Sequence, residues 1–133
     1  MGNKNKQLKL SRDQIETVGA LYSKGQFQEA IDKIKVLNED YPNVPLLFNL
    51  IGACYKELGQ LEGATKMFER AVSIKADYAE AHFNLGVTLQ ELDRLDAAVE
   101  SYKKAIAITP NYPDAHNNLG NVFLKLGQYK AAI

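Results

Sequence analysis

Apolar residues recur along this chain at helical spacing. Leu47, Leu50, Ile51 and Leu58 recur in one helix, and Phe68, Val72 and Ile74 in its partner. The pattern predicts paired helices over about 11–24 with 27–39, 45–58 with 61–74, and 79–92 with 95–108, followed by one over about 113–126. Pro45 suits a first helical turn. Gly59 and Gly127 are predicted to close their helices in a left-handed conformation, with Asp93 as a weaker choice in the same slot. Pro42, Pro110 and Pro113 punctuate the remaining turns, ending one helix or opening the next.

The helices come in copies. A shift of 34 positions superposes Gly52 on Gly86 and Gly120, and Ala64 on Ala98 and Ala132. It also matches Ala71 with Ala105, Phe68 with Tyr102, and His82 with His116. The same register pairs Gly25-Gln26-Phe27 with Gly59-Gln60-Leu61 and Gly127-Gln128-Tyr129. Upstream, Thr17 and Val18 replace the Leu-Gly pair, as expected of a terminal repeat whose outer face meets water. A glycine inside a helix costs roughly 0.5–1 kcal/mol against alanine. Its recurrence at one register therefore points to close helix approach.

These residues resemble the tetratricopeptide repeat (TPR) family, whose pattern runs Trp, Leu-Gly, Tyr, Ala, Phe and Pro. The second repeat supplies Phe48, Ile51-Gly52, Tyr55, Ala64, Phe68 and Ala71. The third supplies His82, Leu85-Gly86, Leu89, Ala98, Tyr102, Ala105 and Pro110, and the fourth His116, Leu119-Gly120, Phe123 and Ala132. The resemblance implies an all-α, right-handed α-solenoid of antiparallel hairpins. Its repeats would cover about 11–44, 45–78, 79–112 and a truncated 113–133, after a flexible lead-in over 1–10. A fourth repeat broken off after Ala131-Ala132 leads us to expect an excerpt of a longer protein.

Composition removes several function classes. Lysine plus arginine equals aspartate plus glutamate, 16 each, so nothing supports a nucleic-acid binder that works by neutralising phosphates. No apolar run reaches the roughly 18 residues of a membrane span, and the polar start is unlike a signal peptide. Met1-Gly2 does not continue into a myristoylation motif, because Lys6 stands where Ser or Thr is wanted. One cysteine, Cys54, cannot form an internal disulfide, and it reads as a small buried hydrophobe in a cytoplasmic protein.

No enzyme is expected either, and no metal or cofactor. His82 and His116 lie one whole repeat apart, in a packing slot, where they would not converge on one ion. Asp96 with Glu100, Glu39-Asp40 and Lys103-Lys104 read as solvated helix faces without an accompanying catalytic group.

The resemblance instead implies binding of a peptide or protein in a concave groove, as a scaffold or adaptor. The equivalent groove positions are Asn49, Leu50 and Ala53, then Phe83, Asn84 and Val87, then Asn117, Asn118 and Asn121. An amide both donates and accepts, which suits an extended peptide backbone. Asn84 and Asn118 are similar in placement to the asparagine ladder of protein O-N-acetylglucosaminyltransferases; the alternative is that they are tolerated exposed polar residues. The positions that clamp chaperone-tail carboxylates elsewhere in the family hold Ile15, Gly19, Leu50, Glu80 and Asn84, without the cations. Two further readings stay open: a substrate-recruiting arm of a larger glycosyltransferase or sulfotransferase, and a homo-oligomer formed through Leu119, Val122, Phe123 and Leu126.

Overall fold

The computed structural model describes residues 9–132, so most of the expected lead-in over Met1 to Leu10, and Ile133, lie outside the described residues. Seven helices and no strands form among them. They are α1 (Arg12–Ser23), α2 (Phe27–Asp40), α3 (Pro45–Glu57), α4 (Leu61–Ile74), α5 (Ala79–Glu91), α6 (Leu95–Ile108) and α7 (Pro113–Ala132). The first six end within a residue of the limits set by the apolar spacing. Each helix packs on the next, while α3 also meets α5 and α5 meets α7. Helices α3, α5 and α7 thus build one continuous wall of an all-α solenoid.

Three hairpin turns share one backbone solution. Gly25, Gly59 and Asp93 have φ of 77°, 78° and 62°. In each case the next residue donates its N–H five residues back: Gln26 to Leu21 at 2.9 Å, Gln60 to Tyr55 at 2.9 Å and Arg94 to Leu89 at 2.8 Å. These bonds satisfy carbonyls that a helix end would otherwise leave bare.

Gly127 does not adopt this turn, and the expectation there is corrected: α7 runs straight through it to Ala132. After Gly59 and Asp93 the turn is favoured by the next helix, which buries Phe68 or Tyr102 completely. Continuing the helix through Gly127 keeps its backbone hydrogen bonds intact. The straight form is also tied down, because the Asp93 carboxylate accepts from the Tyr129 hydroxyl at 3.2 Å and pairs with Lys125 at 3.4 Å.

The recurring glycines are explained by aromatic rings. A Cβ on Gly52 would lie 2.7 Å from the Phe68 ring, and one on Gly86 would lie 2.7 Å from the Tyr102 ring. The first hairpin inverts this arrangement. Val18 occupies the glycine register and Ile34 the aromatic one, both buried in one cluster with Leu47, Ile51 and Cys54. A larger residue on one helix is matched by a smaller one on its partner, which keeps the core filled.

Candidate functional site

The wall of odd-numbered helices carries the nine residues expected in the groove, and their exposures differ. On α3, Asn49 is only 3% exposed, whereas Leu50 and Ala53 are half-buried. On α5, Phe83, Asn84 and Val87 are all half-buried. On α7, Asn117 and Asn121 are exposed and Asn118 is half-buried. The wall therefore opens toward its amide-rich end.

Several of these amides are engaged within the chain. The Asn84 amide donates to Asn49 Oδ1 at 3.0 Å, so α5 is hydrogen-bonded to α3. Asn118 donates to the Tyr102 hydroxyl at 3.4 Å, and that hydroxyl donates to Gln90 Oε1 at 2.7 Å. Burial pushes the Tyr102 hydroxyl up to about 12, with Asn118 opposing the shift and Glu91 adding to it. Asn84 and Asn118 thus brace neighbouring helices, and each holds a different partner. Asn117 and Asn121 are the amides that face solvent.

Two tyrosines join this surface that were not singled out from the sequence. Tyr112 stacks on Phe83 with ring centroids 5.1 Å apart and planes 29° from parallel. Tyr78 stands one repeat earlier, and its hydroxyl lies beside the Asn49 amide; its pKa is raised by burial and by Glu80, and lowered by that amide. In each case the residue just before an odd helix covers the same position on the previous odd helix. The signal was present in the sequence, since the two tyrosines coincide at the repeat shift.

The histidines are turn fasteners. His82 Nε2 donates to the Ala76 carbonyl and His116 Nε2 to the Pro110 carbonyl, both at 2.8 Å. A carbonyl only accepts, so each ring carries its proton on Nε2. In His82, Nδ1 is left buried without a partner. No group of three or more metal-binding side chains occurs among the described residues.

Burial first, and then Glu57, push the Cys54 thiol up to about 11. Only a minute fraction is thiolate at neutral pH, and the side chain is 1% exposed. Cys54 should resist iodoacetamide in the native protein and react fully once the chain is unfolded in urea. Rapid native labelling, followed by mass spectrometry, would show that this reading of the thiol is wrong.

A family profile described as TPR repeat matches residues 52–93 and 91–127, more than half of the chain. The chain belongs to the TPR repeat family. Among curated proteins, "Protein CTR9 homolog" of Arabidopsis thaliana is 33% identical over 67 residues, covering 50% of this chain. The chain spans about 6% of that relative's length. Among solved structures, the Sgt2 TPR domain from Aspergillus fumigatus superposes with a TM-score of 0.85 at 21% identity, covering 91% of this chain and 83% of that one. The first TPR of Spaghetti (RPAP3), bound to HSP90 peptide SRMEEVD, gives 0.82 at 24%, covering 84% and 89%. MamA gives 0.82 at 21%, covering 86% and 67%. At these identities the likeness establishes the fold. No described helix is long and apolar enough to cross a membrane.

Proposed function

We propose that this TPR chain is a protein-interaction module that holds an extended peptide or a protein segment along the wall of odd-numbered helices. The observation that carries the reading is the solvent-facing amide pair Asn117 and Asn121, continuous with the half-buried Phe83, Val87, Ala53 and Leu50. Amides can follow a peptide backbone while apolar positions take its side chains. Two related folds carry peptides in a comparable role, from HSP90 in the first TPR of Spaghetti and from HSP70 in the second TPR domain of human RPAP3. The peptide preferred here differs in chemistry. The positions that match a carboxylate clamp hold Ile15, Gly19, Leu50, Glu80 and Asn84 and carry no cation, which disfavours an acidic tail. A single buried thiol suits a reducing compartment, and this reading places the module in the cytoplasm.

The test is peptide-array capture followed by affinity measurement on the best ligand. Asn117→Ala/Asn121→Ala removes two exposed amides that make no side-chain hydrogen bond among the described residues. It should weaken binding roughly tenfold or more, from two hydrogen bonds of about 0.5–1.5 kcal/mol each. Asn84→Ala/Asn118→Ala should weaken it too, but with a drop in melting temperature, because those amides hold neighbouring helices. Unchanged affinity in both double variants would remove the groove from consideration.

A further inference from the structure

We propose that the side of the solenoid built by α2, α4 and α6 is a second docking surface, whose two cavities each receive a tyrosine side chain of a partner segment. The reading is independent of the groove, which lies on the odd-numbered helices. Those helices pack on one another, α3 with α5 and α5 with α7, whereas cavities open between the even ones. One cavity, of about 210 Å³, lies between α2 and α4 and is lined by Ile34, Asn38, Phe48 and Met67, with Lys35. The next, of about 400 Å³, lies between α4 and α6 and is lined by Val72, His82 and Ala107, with Glu69 and Lys104. They occupy the same place one repeat apart, because Lys35, Asn38 and Phe48 coincide with Glu69, Val72 and His82 at the 34-residue shift. Every lining residue falls between Ile34 and Ile108, within the first three repeats.

Each cavity is lined by a residue that holds a buried acceptor with nothing to accept from. Among the described residues, two buried side-chain polar atoms have no hydrogen-bond partner, Asn38 Oδ1 and His82 Nδ1. Asn38 belongs to the first cavity and His82, itself only 6% exposed, to the second. Oδ1 is a carbonyl oxygen, and Nδ1 carries no proton because Nε2 donates to the Ala76 carbonyl. A buried polar atom left unpaired is costly, so a donor delivered into either cavity is favoured. The remaining walls are largely apolar, so that donor fits best on an apolar body. A phenol has this form. Its hydroxyl donates to the buried acceptor, and its oxygen can still accept from Lys35 in one cavity or Lys104 in the other. Neither lysine is ion-paired among the described residues. An indole N–H would donate but offer the lysine no acceptor. An apolar cavity of about 150 Å³ can hold a benzene ring, so the smaller of the two has room for one phenol. Two cavities of like chemistry in successive repeats point to a chain bearing tyrosines as the occupant, and not to one small molecule.

Titration of the whole chain with N-acetyltyrosinamide, followed by methyl NMR, should shift Ile34 and Met67 at one cavity and Val72 and Ala107 at the other. A single side chain should bind weakly, with Kd on the order of 1–10 mM. N-acetylphenylalaninamide lacks only the hydroxyl and should bind roughly fivefold more weakly at both cavities. Asn38→Val and His82→Phe introduce the residue types that the neighbouring repeat carries at the same register, as Val72 and Phe48. Asn38→Val should abolish the preference for the tyrosine ligand at the first cavity and keep it at the second; His82→Phe should do the reverse. The ratio of two ligands within one variant is insensitive to any change in overall stability. Asn117→Ala/Asn121→Ala should bind both ligands as the wild type does, which separates this surface from the groove. No shift at either cavity overturns the proposal, as does a shift at one alone or binding lost with the groove variant. Equal binding of the two ligands, or a preference that survives both cavity substitutions, overturns the assignment of tyrosine.

Discussion

Gly86→Ala is expected to destabilise the chain, while the same replacement at the equivalent Gly120 is expected to stabilise it. In an otherwise open helix, alanine is favoured over glycine by about 1 kcal/mol. At Gly120 nothing lies within 4 Å of the added Cβ, so that gain should appear nearly whole. At Gly86 the added carbon would sit 2.7 Å from the Tyr102 ring. The ring has little room to retreat, because its hydroxyl is bonded to Gln90 and Asn118 and its centroid lies 5.9 Å from that of Phe83. Overpacking of this kind costs typically about 1–3 kcal/mol, which exceeds or offsets the propensity gain. Urea denaturation of the two variants should move the midpoint in opposite directions. A stabilised Gly86→Ala would mean that Tyr102 yields easily and that the glycine register is not set by ring contact.

Gly86 was legible from the sequence as a close approach, and so was most of the fold. Repetition made it so: each apolar position is seen two or three times, and a helix limit that is ambiguous once is fixed by its copies. Asp93 shows the same effect, since its left-handed backbone could be expected only from the glycines that share its slot. Where copies stop agreeing, the sequence says less. Gly127 looks identical to Gly59 in its Gly-Gln context, yet it lies inside a helix, where Lys125 and Tyr129 on either side of it reach the Asp93 carboxylate. The groove was legible as a face and not as a set of contacts. Asn49 and Asn84 are one position out of register with each other in their repeats, so no superposition of copies pairs them. Their hydrogen bond depends on how α3 and α5 cross, a tertiary quantity. Asn49 is buried for the same reason: its side chain is engaged between helices.

Phe68→Ala should cost about 3–5 kcal/mol of stability, more than either glycine variant. Phe68 is fully buried and belongs to the cluster that joins α4 to α5 and α6, with Ala64, Leu85 and Leu89. Its ring lies on bare backbone at Gly52, so no side chain there can swing into the space it leaves. The loss should therefore lie toward the upper end, where a site collapses poorly. Because a repeat array is held together by neighbour-to-neighbour interfaces, the damage should fall between the second and third repeats, and unfolding in urea should broaden or split into two steps. The contact itself can be isolated by a double-mutant cycle. Gly52→Ala in the wild type meets the Phe68 ring at 2.7 Å and should destabilise. In the Phe68→Ala background the obstruction is gone, and the same change should stabilise by up to about 1 kcal/mol through helix propensity and partial filling of the void. The sign of the Gly52→Ala effect thus depends on whether the ring is present. Equal effects in both backgrounds would show that the ring and the glycine do not interact, and that the repeated glycine register has another cause.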